Sequence, residues 1–162
     1  MITCTFENGN VASPGLRHVT VNAIVTKDNQ VLMGLRSSVS GVTMLETGKW
    51  ALLGGYFGFN EDLKTAVKRE VMEESGWEID NIKLFRINDN PGRPKEDRQN
   101  VDMVFIADAI KQTGPTDKEM SELKWFPLDS LPPRDHIAFD HGEDLELYIK
   151  HLVDPVQLPL LG

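Results

Sequence analysis

Cysteine is almost absent from this chain. Cys4 is the only cysteine among 162 residues, so neither an internal disulfide nor a zinc site built from several thiolates can form. We interpret Cys4 as a structural or incidental thiol. The first ten residues, MITCTFENGN, are too polar for a secretory signal. Together these features predict a reducing, cytoplasmic location.

Positive charge and long apolar runs are also scarce. Lysine and arginine total 17 against 25 aspartate and glutamate residues, a formal net charge of −8. This balance argues against nucleic acid or an anionic membrane as the main partner, and against an mRNA-decapping role. No apolar run is long enough to predict a membrane span. A small phosphorylated ligand remains compatible, because a bound metal ion can supply positive charge.

The hydrophobic pattern predicts several strands and two helices. Residues 18–25 alternate in polarity, which indicates a half-buried strand, and a turn at 27–30 joins it to a second strand at 31–35. Further strands are predicted at residues 50–53, 77–87, 101–110 and 123–127, and helices at about 60–75 and 142–152. This order predicts an α+β fold, with helices packed on a mixed sheet.

We predict that residues 1–162 form a single domain. Residues 1–16 are an irregular lead-in, and residues 153–162 are an apolar tail that covers the chain's own core or packs on a second copy, as a homodimer would require. The first helix has Asn60 as a candidate N-cap and Gly76 as the residue that ends it.

That first helix ends in an unfavourable concentration of negative charge. Its inward stripe is apolar at Leu63 and Val67 and then acidic at Glu70 and Glu74, with Glu73 beside them. Carboxylates three and four residues apart repel one another, and they oppose the macrodipole at a helix C-terminus. A hard cation such as Mg²⁺ or Mn²⁺ would convert this repulsion into attraction. The alternative is a solvated acidic helix end.

The stretch GYFGFNEDLKTAVKREVMEESGW, which begins at Gly55, resembles the signature of the Nudix hydrolases. That signature is G, five residues, E, seven residues, then R-E-apolar-x-E-E-x-G-apolar. A match occurs by chance on the order of once in ten million chains of this length. The matching residues are Gly55, Glu61, Arg69, Glu70, Val71, Glu73, Glu74, Gly76 and Trp77. KWALLGG and ELKWFPLDSLP resemble the family as well, so the resemblance spans most of residues 18–135.

The resemblance implies a fold and a reaction. The fold is a mixed β-sheet sandwiched between helices, with the signature (the Nudix box) as a loop-helix-loop. The reaction is hydrolysis of the pyrophosphate bond of a nucleoside diphosphate linked to another group, with Mg²⁺ or Mn²⁺. By position, Glu70 and Glu74 are the principal metal ligands and Glu73 a supporting one. Arg69 braces the glutamates, and Gly55 lets the loop backbone approach the metal and the phosphates.

The sequence departs from the family pattern in the loop before the helix. Leu53 replaces a common proline, and residues 56–59 are unusually aromatic. These aromatic side chains either stack on a base or pack on their own protein.

The substrate prediction depends on a basic loop. Arg93, Lys95 and Arg98 precede a core strand and loosely resemble the matching loop of ADP-ribose pyrophosphatases, which favours ADP-ribose or a related nucleotide sugar. We expect Arg93 and Arg98 to contact a phosphate or the distal ribose. A solvated basic loop is the alternative. Arg36 is also assigned to substrate binding.

The general base is left open among several carboxylates. The resemblance allows a box glutamate, Glu70 or Glu73, or an acid from a later loop. Glu119 is the favoured loop candidate, and the others are Glu122, Glu96 and Asp97. The four histidines, at positions 18, 136, 141 and 151, show no metal-ligand spacing and are interpreted as structural or solvent-facing.

Two other functions compete with the favoured one. A house-cleaning hydrolase of damaged nucleoside triphosphates differs only in its substrate. A Nudix-fold sensor would bind a nucleotide without hydrolysing it. Such sensors commonly lose box glutamates, whereas this chain retains all of them.

Overall fold

A computed structural model describes residues 17–38, 45–92, 100–115 and 119–162. Its strands are β1 (Val19–Lys27), β2 (Gln30–Arg36), β3 (Trp50–Ala51), β4 (Leu53–Tyr56), β5 (Trp77–Asn88), β6 (Val101–Gln112), β7 (Met120–Pro127) and β8 (Leu160–Leu161). Its helices are α1 (Leu63–Ser75) and α2 (His141–Val153), and a 3-10 turn at Arg134–His136 precedes α2. Outside the described residues lie Cys4, the predicted lead-in 1–16, and the loop residues Arg93, Lys95, Glu96, Asp97 and Arg98.

The described strands form one mixed sheet in the order β3-β2-β1-β6-β5-β8, with β4 also paired to β1 and β7 to β2. The β1–β6 and β5–β8 pairs are parallel and the others are antiparallel. The β1–β2 hairpin turns at Asp28 and Asn29, whose φ values of 49° and 60° are left-handed. Two left-handed residues suit the twist of a tight hairpin, so this hairpin and the mixed sheet are confirmed.

The two helices pack on opposite faces of the sheet. Val21 and Val25 of β1 pack in one core with Val67 of α1, whereas Ile24 packs in a second core with Leu145 of α2. The prediction that β1 is half-buried is therefore wrong for residues 21–25, because α2 covers the face that was expected to meet solvent. Across the described ranges, no helix is both long and apolar enough to cross a membrane.

The start of α1 differs from the prediction. The helix begins at Leu63, and its N-cap is Asp62, whose carboxylate accepts a hydrogen bond from the Thr65 N–H at 2.8 Å. Asn60, the predicted cap, instead adopts a left-handed φ of 64° in the preceding loop, a conformation that asparagine tolerates. The predicted end is confirmed, since Gly76 has φ 69° and its N–H donates to Met72 O at 2.8 Å.

The predicted strand at 50–53 is two strands in the structure. β3 pairs with β2, whereas β4 pairs with β1, so the chain changes partner at Leu52. A Cβ on Gly54 would lie 2.0 Å from the backbone oxygen of Val21. Only glycine allows β4 to approach β1 this closely.

The C-terminal tail adds a strand to the sheet. β8 pairs with β5, and the Gly162 N–H donates to Ile87 O at 2.9 Å. Leu158 and Leu160 pack against the core beneath α2. Of the two predicted roles of the tail, covering the chain's own core is the one seen here.

A buried ion pair joins β5 to α2. Arg86 Nη1 donates to Asp144 Oδ1 at 2.7 Å, and the two side chains are 3% and 0% exposed. The pKa of Asp144 is raised to about 7, mainly because the side chain is buried and also because of the negative charges of Asp102 and Asp140, whereas Arg86 opposes the rise.

We expect Asp144 to make stability depend on pH. Because its folded pKa exceeds the ordinary value of 3.8, its contribution to folding is fully present below about pH 4 and is lost as pH rises to about 7. The unfolding free energy should therefore fall between pH 5 and pH 7, by at most about 1.4 kcal/mol per pH unit. Denaturant titrations of wild type and Asp144→Asn test this. If the unfolding free energies of the two proteins changed equally with pH, the prediction would be wrong, since the variant lacks the titrating group.

Candidate active site

Two of the box glutamates, Glu70 and Glu73, open onto a cavity of about 430 Å³ between α1 and the start of α2. Five residues that the sequence assigned to the site line this cavity together: Gly55, Glu70, Glu73, Glu119 and Arg36. The other residues that line it are Thr20, Asn22, Leu52, Gly54, Tyr56, Asn100, Phe139 and His141.

Arg69 connects three carboxylates at the edge of this cavity. Its Nη2 and Nε donate to the two carboxylate oxygens of Glu61 at 2.7 and 3.0 Å. Its Nη1 donates to Glu70 at 2.9 Å and to Glu73 at 3.1 Å. The hydrogen bond from Arg69 lowers the pKa of Glu61, and the hydrogen bond to Glu61 raises the pKa of Arg69. Glu61 also accepts the Gly58 N–H at 2.6 Å, which ties the loop to the helix.

The Glu70 side chain is confined at the cavity edge and is 13% exposed. Burial raises its pKa, Arg69 opposes the rise, and the charges of Glu73 and Glu119 add to it. A Cβ on Gly55 would lie 2.6 Å from Glu70 Oε2. Glycine is needed at position 55 because the carboxylate rests directly against the loop backbone.

Glu74 lies deeper than the sequence suggested. It is 3% exposed, and its Oε2 accepts a hydrogen bond from the Gly54 N–H at 2.8 Å. It is not among the residues that line the cavity. This contact commits one carboxylate oxygen to holding β4 against α1, and the role of Glu74 as a metal ligand stays a prediction.

The carboxylate oxygens at the cavity are chemically suited to bind a hard divalent cation. Within the described part of the chain, no three His, Cys, Asp or Glu side chains already converge as a metal site, and Arg69 bridges Glu70 and Glu73. The carboxylates of Glu70, Glu73 and Glu119 nevertheless line one cavity, and the charges of Glu73 and Glu119 add to the rise in the pKa of Glu70 that burial causes. Oxygen donors with excess negative charge are what Mg²⁺ and Mn²⁺ bind.

The fold separates two of the candidates for the general base. Glu119 lines the cavity, whereas Glu122 is exposed on β7, where it pairs with Leu35, and does not line it. Arg36 also lines the cavity. Its guanidinium lies 5.1 Å from the centre of the Phe139 ring, and its Nε donates to Leu45 O at 3.0 Å.

His141 is a cavity residue that sequence reasoning missed. It is 4% exposed, and its Nδ1 accepts the Leu52 N–H at 3.0 Å. An acceptor Nδ1 carries no proton, so the neutral ring is protonated on Nε2. The histidine spacing had no signal for this placement, because the docking of α2 against residues 50–53 creates it. Among the loop aromatics, Tyr56 lines the cavity, whereas Phe59 is 96% exposed.

The sequence model of the protein family described as NUDIX domain matches residues 16–146, which are most of the chain. The chain belongs to the NUDIX family. An "ADP-ribose pyrophosphatase" of Methanocaldococcus jannaschii is 31% identical over 133 residues, which cover 82% of this chain and 73% of that protein. A "NAD-capped RNA hydrolase NudC" of Vibrio vulnificus is 33% identical over 88 residues. That match covers 54% of this chain and only 32% of the relative.

Solved structures agree on the fold of this Nudix protein. A NUDIX hydrolase from Nitrosomonas europaea superposes with a TM-score of 0.77 at 22% identity, covering 99% of this chain and 92% of that one. The predicted family, the predicted fold and the predicted enzyme class, a Nudix pyrophosphohydrolase, are confirmed.

Proposed function

We propose that this Nudix hydrolase cleaves, with Mg²⁺ or Mn²⁺, the pyrophosphate bond of a nucleoside diphosphate linked to another group, with ADP-ribose or a related nucleotide sugar favoured. One observation carries the proposal: Glu70, Glu73 and Glu119 share a cavity with the cationic Arg36. A cavity of about 430 Å³ is within the range of small-molecule sites. The relative named ADP-ribose pyrophosphatase, which matches most of this chain, supports the choice of substrate.

We assign a different role in the reaction to each group of side chains. Glu70, Glu73 and Glu74 would hold the divalent cation, which supplies charge neutralisation of the pyrophosphate and lowers the pKa of a nucleophilic water. Glu119 is the proposed general base. As the water oxygen bonds to phosphorus and the phosphoanhydride P–O bond breaks, the proton of the water passes to this carboxylate. Arg36 would contact the phosphate oxygens.

The proposed function is tested by phosphate release across nucleoside diphosphate sugars, dinucleotides and nucleoside triphosphates in Mg²⁺ and in Mn²⁺. Added phosphatase or pyrophosphatase reveals each product. We expect ADP-ribose to have the highest kcat/KM. NAD belongs in the panel because of the relative named NAD-capped RNA hydrolase. Preference for a triphosphate would favour the house-cleaning alternative. Binding without turnover of any compound would favour the sensor.

Arg93 and Arg98 are proposed to bind a phosphate or the distal ribose. Alanine at both positions should raise KM for ADP-ribose about tenfold with little change in kcat, since uniform binding is lost. Steady-state kinetics measure this, and Arg134→Ala, which removes an exposed cation paired with Glu146, is the control. An unchanged KM in the double variant would mean that the loop is merely solvated.

The remaining parts of the proposal concern partners and location. A small nucleotide is the proposed partner, without nucleic acid or membrane, and the cytoplasm is the proposed location. Analytical ultracentrifugation of the purified chain tests the homodimer.

A further inference from the structure

A second polar surface lines the same cavity, apart from the box glutamates. It consists of Thr20, Asn22 and Asn100, and we call it the strand-end patch. β1 and β6 are parallel, with Thr20 opposite Asp102. Side chains alternate along a strand, so Thr20, Asn22 and Asp102 project from one face of the sheet. Asn100 precedes Asp102 by two residues at the edge of that face.

Asp102 determines which hydrogen bonds the patch can offer. It is fully buried, and its Oδ1 accepts the Thr20 hydroxyl at 3.0 Å and Asn22 Nδ2 at 2.8 Å. A hydroxyl has a single proton, so Thr20 presents only lone pairs to any further partner. The amide nitrogen of Asn22 faces Asp102. The carbonyl oxygen, at the other end of the amide, is therefore the acceptor that Asn22 offers to a further partner. The patch is therefore rich in acceptors.

Asn100 has an unsatisfied polar atom. The residue is 4% exposed, and its Oδ1 has no hydrogen-bond partner within the described residues. A buried acceptor left unpaired is unfavourable and calls for an explanation. A ligand with a hydrogen-bond donor, placed in the cavity, would satisfy it.

We propose that Thr20, Asn22 and Asn100 form a hydroxyl-binding subsite that takes a ribose of the substrate, and that Asn100 determines specificity there. Ribose hydroxyls donate hydrogen bonds, which matches the acceptors of the patch. Phosphate oxygens accept hydrogen bonds and carry negative charge, so Asp102 beneath the patch repels them. The phosphates then lie at the opposite end of the cavity, at the box glutamates. This inference rests on the proposed function for the identity of the nucleotide.

Binding measurements with deoxy analogues test the subsite. Calorimetry in Mg²⁺ buffer, on a Glu70→Gln background that prevents turnover, compares ADP-ribose with its 2′-deoxy and 2″-deoxy analogues. We expect Asn100→Leu to raise the Kd of ADP-ribose about tenfold, the value of one hydrogen bond. At least one deoxy analogue should bind equally to both proteins, because it lacks the hydroxyl that Asn100 contacts.

Thermal denaturation separates a binding role from a structural one. Asn100→Leu should not lower Tm, because an apolar side chain replaces one whose buried carbonyl oxygen has no hydrogen-bond partner within the described residues. Asn88→Leu is the matched control. Asn88 is 1% exposed and its Nδ2 donates to Asp140 at 2.6 Å, so its loss should lower Tm. If Asn100→Leu does not fold, Asn100→Ala gives the same comparison of Kd values.

Three results would overturn the subsite. They are an unchanged Kd in the Asn100 variant, an equal loss of affinity for ADP-ribose and every deoxy analogue, and no binding of ADP-ribose by the Glu70→Gln protein. Failure of the proposed function gives a different result. Hydroxyl-dependent binding would persist while the wild-type protein hydrolyses nothing in the substrate panel.

Discussion

Glu70→Gln should lower kcat/KM about a thousandfold, which corresponds to on the order of 4 kcal/mol of transition-state stabilisation. The substitution keeps the size of the side chain but removes the negative charge of the carboxylate that rests against Gly55 and faces Glu73 and Glu119. A neutral amide is a weaker ligand for a hard cation. Initial rates on the best substrate of the panel measure the effect.

Stability measurements distinguish a chemical effect from unfolding. Because burial raises the pKa of Glu70, keeping this carboxylate ionised in the native state costs free energy of folding. Glu70→Gln should therefore leave Tm unchanged or raise it. Glu146→Gln is the matched control, since Glu146 is exposed on α2 and paired with Arg134, and it should retain full activity. Substantial turnover by Glu70→Gln would remove Glu70 from the metal site.

Arg86→Met should cost about 3 kcal/mol of unfolding free energy at pH 8. Arg86 donates to Asp144, to Glu143 and, through Nε at 2.7 Å, to the backbone oxygen of Gly162. Removing it leaves Asp144 buried beside Asp102 and Asp140 without its cation. The cost should shrink at pH 5, because a carboxyl whose pKa burial already raises to about 7 can take up a proton and become neutral.

Denaturant titrations at both pH values measure this cost. Arg134→Met is the control, because it breaks a pair of comparable length, 2.6 Å, between side chains that are 48% and 65% exposed. Exposed pairs contribute about 0–1 kcal/mol. A loss in Arg86→Met no larger than in Arg134→Met would show that the buried pair contributes little. A loss independent of pH would assign the effect to packing and to the tail contact with Gly162, rather than to the charge of Asp144.

Local patterns in the sequence were sufficient for most of the secondary structure. The alternation in β1, the hairpin turn and the end of α1 at Gly76 each depend on residues close together in the chain. The start of α1 was misplaced because Asn60 and Asp62 are both good caps. In the structure Asp62 caps the helix and Asn60 lies in the preceding loop, next to Glu61, which Arg69 contacts from eight residues further along.

The candidate site was predictable only in part, because only some of its residues lie close together in the chain. Arg69, Glu70 and Glu73 lie within one turn or so of a helix, so their proximity follows from helical geometry. Glu119 was one of several possible carboxylates, and only the pairing of β7 with β2 separates it from Glu122. Spacing along the chain contained no information about His141 and Asn100, which reach the cavity through α2 and the β1–β6 pair.

By itself, the sequence determined the family, the acidic helix that carries the chemistry and the alternation that builds the sheet, because each is a short-range pattern of residue types. Only the tertiary structure decided which side chains share the cavity, that Glu74 holds β4 against α1, and that Arg86 and Asp144 meet 58 positions apart beneath α2. Contacts between distant segments depend on how the two helices cover the sheet, and the free energy of that packing is summed over the whole core.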